Sequence, residues 1–94
     1  MTDSNLYREL SALTKRKEDW KESIPYVASL LDNQSLKITA KALWLLGEMG
    51  MNYPDMVRPF LEILQSLAEN DPNPVVRIHS AGAIRITNKE LNGD

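Results

Sequence analysis

The chain has 94 residues, a length for one domain whose core buries roughly 60–70% of the unfolded surface. Its 43% apolar and 26% charged content argues against disorder, and thirteen acids against eleven bases leave a net charge of −2, with no bulk pull on nucleic acid or anionic membrane. The absence of cysteine removes disulfides, thiolate metal sites and cysteine nucleophiles together. No apolar run approaches the about 18 residues that span a bilayer, and the polar start Met1-Thr2-Asp3-Ser4-Asn5 is unlike a signal peptide, so a soluble cytoplasmic domain is expected.

No segment alternates with period two for long, and an all-α fold is predicted. The first helix opens near Ser4, a good N-cap, with Leu6, Leu10 and Leu13 at i, i+4, i+7; Lys15, Arg16 and Lys17 suit its C-terminus. The second carries Trp20, Ile24, Val27, Leu30 and Leu31 and stops at Asp32-Asn33-Gln34-Ser35, with Trp20 at the junction with the first helix. The third runs from about Ser35 to Met49 with Leu36, Ala40, Leu43, Leu46 and Gly47 on its apolar side, and Gly50 is placed as its left-handed C-terminal residue. Pro54 opens the fourth as a first-turn proline, with Phe60, Leu61, Leu64 and Leu67 as its core stripe; Pro59 kinks it unless the regular helix starts there. After the turn Asn70-Asp71-Pro72-Asn73-Pro74, the fifth helix spans Val75 to about Thr87.

The second and fourth helices are alike. Pro25-Tyr26-Val27 with Leu30 lines up with Pro59-Phe60-Leu61 and Leu64, 34 residues on. The third and fifth match at a shift of 40, with Leu36-Lys37 over Val76-Arg77, Ala40 over Ser80, Leu43 over Ala83 and Trp44 over Ile84. Helix pairs repeating at such a period mark an α-solenoid, whose units bury a face by stacking on neighbours. The stretch Asp71-Pro72-Asn73-Pro74-Val75-Val76-Arg77 followed by Ser80, Ala81, Ala83 and Ile84 resembles the second-helix signature of HEAT repeats, and Leu36-Lys37 through Gly47 is a weaker copy with Lys for Arg. This resemblance implies a five-helix right-handed α-α superhelix: a single HEAT-like domain over 1–94, with a capping helix at 1–18 and repeats at 19–52 and 53–94.

Catalytic and metal chemistry finds little footing. His79 is the one histidine and has no metal-ligand partner on its own helix, so a rim position is expected. Deoxyhypusine hydroxylases, which are HEAT-like, hold iron through His-Glu pairs, and no His-Glu dipeptide occurs here. Gly47, Gly50 and Gly82 read as packing glycines rather than a phosphate loop, and Trp44, within the apolar run Ala42 to Leu46, reads as core. No enzyme activity, cofactor or metal is expected.

The charges are unevenly placed. The third and fifth helices carry Lys37, Lys41, Arg77, Arg85 and Lys89 against Glu48, while residues 53–71 carry Asp55, Glu62, Glu69 and Asp71 against Arg58. Lys37, Lys41 and Leu45 are spaced i, i+4, i+8, and so are Arg77, Ala81 and Arg85, giving two parallel rows expected to hold a partner. The resemblance puts second helices on a concave face, which would be basic, and implies that Arg77 bonds the Asp71 or Asp32 turn. Val75, Val76, Ile78, Ala81, Ile84 and Ile86 wrap round the last helix, although solenoid ends are normally polar. Ile78, Ile84 and Ile86 are therefore expected to form an end face for a second copy or a partner. The expected function is a non-catalytic protein–protein interaction module holding another protein, an acidic peptide segment being the simplest fit. Membrane is excluded as a partner and nucleic acid disfavoured. The alternatives are an accessory domain of a HEAT-like enzyme, of the phycobilin lyase or alkylpurine DNA glycosylase type, or a structural homo-oligomer.

Overall fold

The computed structural model describes residues 3–93; Met1, Thr2 and Asp94, at the two ends of the expected domain, lie outside them. Among the described residues the secondary structure is all-helical: α1 (Asp3–Lys15), α2 (Trp20–Ala28), α3 (Leu36–Asn52), α4 (Pro54–Val57), α5 (Leu61–Asn70) and α6 (Pro74–Leu91). None of these helices is long and apolar enough to cross a membrane. The helices form a slab of 39 × 33 × 16 Å, the short dimension matching two layers of helices about 10 Å apart. α3 is central: it packs against α1, α2, α4 and α6, while α5 covers α6.

Local chemistry explains most boundaries. The Trp20 indole Nε1 donates to the Leu13 carbonyl oxygen at 2.8 Å, a second bond to a carbonyl that also accepts from the Arg16 N–H, and seats the buried ring at the α1/α2 junction. The predicted fourth helix is split at Pro59. A 3-10 turn over Arg58–Phe60 separates α4 from α5, because the proline ring lacks the N–H that a continuous α-helix would use there. Asn73 caps α6, its Oδ1 accepting from the Val75 N–H at 2.8 Å, and Pro74 follows at the first helical position.

Gly50 does not end α3. The helix continues to Asn52, and among the described residues the one glycine with positive φ is Gly93. Gly50 is instead where α6 crosses: a Cβ there would lie 3.2 Å from Thr87 Cβ and overlap the Thr87 hydroxyl. One turn earlier, a Cβ at Gly47 would reach Ala83 Cα at 3.5 Å. Because Gly47 meets Ala83 and Gly50 meets Thr87, α3 and α6 run parallel, joined by a seam of small residues. Gly82 is no packing glycine; a Cβ there would meet Arg85 Nη2 alone, at 3.9 Å.

Two loop hydrogen-bond patterns recur along the chain, at a spacing different from the predicted one. The Asn33 side-chain oxygen accepts from the Ser35 N–H at 2.8 Å, and the Asp71 carboxylate accepts from the Asn73 N–H at 2.9 Å. The Thr39 hydroxyl donates to the Asn33 carbonyl oxygen at 2.9 Å, and the Arg77 guanidinium donates to the Asp71 carbonyl oxygen at 2.7 Å. Asn33 to Asp71 and Thr39 to Arg77 are each 38 residues apart, not 40. At this register Ile38 matches Val76, Ala42 matches Ser80, Leu45 matches Ala83 and Met49 matches Thr87, and all eight are buried. The 40-residue shift would pair exposed Leu36 with buried Val76.

Ser80 and Thr87 sit in this seam, and among the described residues neither hydroxyl has a hydrogen-bond partner. A buried unpaired hydroxyl costs about 1–3 kcal/mol. Ser80→Ala is therefore expected to leave stability unchanged or raise it by up to about 1 kcal/mol in urea unfolding. A loss of comparable size would mean the hydroxyl is bonded in the folded protein.

Candidate functional site

The surface that stands out lies along α3 and spreads onto α6. Lys41 lies with its Nζ 4.6 Å from the centroid of the Trp44 ring and 5.8 Å from that of Tyr7, which α1 contributes. Lys37, one turn earlier, is 4.4 Å from the Tyr7 centroid. Tyr7, Lys37, Lys41 and Trp44 thus make a ladder of alternating rings and ammonium groups, each contact of the order of 0.5–1 kcal/mol at an exposed site. Beyond Trp44 a cleft of about 220 Å³ opens between α3 and α6, lined by Trp44 and Glu48 from one helix and Ile78, His79, Gly82 and Arg85 from the other.

Trp44 is 42% exposed and Leu45 is 0% exposed. The predicted assignment of these neighbours is therefore inverted. Leu45 belongs to the core, facing inward as Ala83 does at the equivalent position of α6, and it is removed from the partner row. Trp44 takes its place because it stands three and seven residues after Lys41 and Lys37, on the face whose charges keep it in water. Leu36 and Ala40, predicted on the apolar side, are exposed and half-buried respectively.

The remaining predicted residues divide. Lys41, Arg85, Ile78 and Ile86 come together around Trp44 and the cleft. Lys37 stands further along, over Tyr7. Ala81 is exposed beside the cleft without lining it. Arg77 is half-buried with its guanidinium committed to the Asp71 carbonyl oxygen, so it braces the α5–α6 loop through backbone rather than carboxylate. The end face is narrower than predicted: Ile78 is 69% exposed, whereas Ile84 packs against the core and Ile86 is half-buried in the cleft wall.

Electrostatics leave the site's bases uncommitted. Among the described residues the ion pairs are Arg16–Asp19 at 3.7 Å and Arg58–Asp55 at 3.3 Å, both exposed and of small energetic weight. Neither Lys41 nor Arg85 has a carboxylate within ion-pair distance among the described residues. Tyr26, on α2, has its phenol held above the ordinary tyrosine value, first by partial burial and then by the Glu9 carboxylate beside it. No group of three or more metal-capable side chains converges among the described residues.

Two other clefts differ in kind. One of about 370 Å³ lies at the loop end of the slab, with Asp32, Asn33, Asp71 and Asn73 in its lining. The other, of about 200 Å³, lies between α2 and α5 and is lined by Ala28, Ser29, Leu31, Ile63 and Leu67 among others. Neither has an aromatic ring or a base in its lining.

Comparison with protein-family models, with curated proteins and with solved structures gave no match.

Proposed function

We propose that the chain is a short HEAT-like α-solenoid that works as a non-catalytic protein-interaction module and holds an acidic segment of another protein on its α3/α6 face. In this reading α1 is the cap, α2 with α3 and α4–α5 with α6 are the two repeats of a right-handed superhelix, and the cytoplasm is the compartment. The 38-residue repeat of the loop hydrogen bonds and the parallel contact of α3 with α6 support the architecture. The observation that carries the function is Trp44, 42% exposed and stacked under Lys41, beside a cleft whose Arg85 has no carboxylate partner among the described residues. Trp and Arg are enriched at interfaces because they combine large contact area with a polar or charged handle.

A displayed library of random 12-residue peptides, panned against the folded chain, tests this reading. Acidic sequences should be enriched, and Lys41→Glu/Arg85→Glu should weaken their binding by about tenfold or more while the circular dichroism spectrum stays the same. Equal binding to the double variant, or no enrichment at all, would remove the face as a recognition site. The exposure of Ile78 favours a second reading, a homo-oligomer through α6. Under that reading Ile78→Asp converts an oligomer into a monomer in light scattering, whereas the first reading has the parent and Ile78→Asp both monomeric.

A further inference from the structure

The α3/α6 cleft is sized for one side chain. Its volume of about 220 Å³ falls below the roughly 300–1,000 Å³ of sites that enclose drug-sized ligands and cofactors. Trp44 lines it from α3 and Ile78 and Ile86 from α6, so whatever enters meets an aromatic ring and two aliphatic side chains. Depth comes from Gly82: a Cβ there would meet Arg85 Nη2 alone, at 3.9 Å, leaving open space where any other residue would stand. Glycine is less favourable than alanine inside a helix, and no neighbouring helix requires it at this position.

The charged groups give the cleft a polarity. Because α3 and α6 run parallel, Lys41 lies toward the N-terminal end of both helices, while Glu48 and Arg85 lie further toward the C-terminal end. A carboxylate entering beside the anchor is therefore attracted at the Lys41 end, where no acid lines the cleft, while at the other end Glu48 offsets the attraction of Arg85.

Building on the interaction-module reading, we propose that the partner is an acidic segment that anchors itself by a single large apolar side chain, the size of Leu or Phe, set over Gly82 between Trp44 and Ile78, with a carboxylate meeting Lys41. The anchor supplies the desolvated centre of a small interface, and the carboxylate fixes the direction in which the segment lies.

The library-selected peptides provide the test, with Gly82→Leu as the variant that fills the cleft from inside. The expected result is a single large apolar residue shared among the acids. Its replacement by Ala and Gly82→Leu should each weaken binding by about tenfold or more. Peptide binding should also shift the emission of Trp44 to the blue, while buried Trp20 contributes an unchanged background. Should Gly82→Leu fail to fold by thermal melt, the Ala-substituted peptide and the Trp44 emission decide the matter on the unmodified chain. Peptides that bind Gly82→Leu as tightly as the parent, yet lose affinity to Lys41→Glu/Arg85→Glu, overturn the anchor and leave the face in place. Binding insensitive to both variants overturns the face as well. A dimer that Gly82→Leu converts to a monomer in light scattering would show that a second copy fills the cleft, which also overturns the proposal.

Discussion

Gly50→Ala is expected to destabilise the fold by about 1–3 kcal/mol, the range for forcing an extra carbon into a close-packed contact. For a domain of this size that is a fall in melting temperature of about 4–8 °C per kcal/mol. The new methyl would overlap the Thr87 hydroxyl and lie 3.2 Å from Thr87 Cβ, where α3 and α6 cross most tightly. Thr87→Ala removes the overlapping hydroxyl and keeps the Cβ at 3.2 Å, so Gly50→Ala should cost less in the Thr87→Ala background than in the parent, and a double-mutant cycle measures the coupling directly. An unhindered Gly→Ala inside a helix stabilises by up to about 1 kcal/mol. A Gly50→Ala protein that melts at or above the parent temperature would therefore mean that the seam is not closed at this point.

Leu45→Ala and Trp44→Ala should behave in opposite ways although the residues are adjacent. Leu45 is 0% exposed, and truncating a fully buried Leu costs about 2–5 kcal/mol through lost transfer energy and the cavity left behind. Trp44→Ala gives up the contact with Lys41, of the order of 0.5–1 kcal/mol, and area that is already partly in water. Urea midpoints of the two variants therefore report how α3 is rotated about its axis. Comparable losses, or a larger loss for Trp44→Ala, would place the indole in the core and close the proposed site.

Much of the framework was legible because it depends on local chemistry. Proline positions and the i, i+4 stripes of α1 and α2 are decided by residues close in sequence. The register of the repeat was not, because two different side chains make the same bond. The Thr39 hydroxyl and the Arg77 guanidinium each donate to the carbonyl oxygen six residues earlier, and residue matching cannot equate them. Pairing Arg77 with Lys37, the chemically similar residue, shifts the alignment by two positions and turns Leu45 outward. Gly50 was ambiguous for a related reason: a glycine near a helix end suits a left-handed stop and a close crossing equally, and only Thr87, 37 residues away, decides between them.

The candidate site was half legible. Lys41, Arg85 and Ile78 follow from charge and apolar placement along their helices. Trp44 did not, since Ala42 to Leu46 is apolar on every side and periodicity alone selects no outward member. The available signal was that Lys37 must stay hydrated, and seven residues on, close to two full helical turns, Trp44 and not Leu45 returns to its line. Tyr7 had no local signal, because α1 brings it to Lys37 across the fold. Gly82 was read as a contact point on the general rule that a helix-interior glycine marks close approach, and its open surroundings reverse that reading.

The most direct test of the account is amide chemical-shift mapping of the isotope-labelled chain titrated with a selected acidic peptide carrying one large apolar residue. The largest changes should fall on Lys41, Trp44, Glu48, Ile78, His79, Gly82 and Arg85, with α2 and α5 little affected. Changes centred on Ser29, Ile63 and Leu67, in the cleft between α2 and α5, would contradict it.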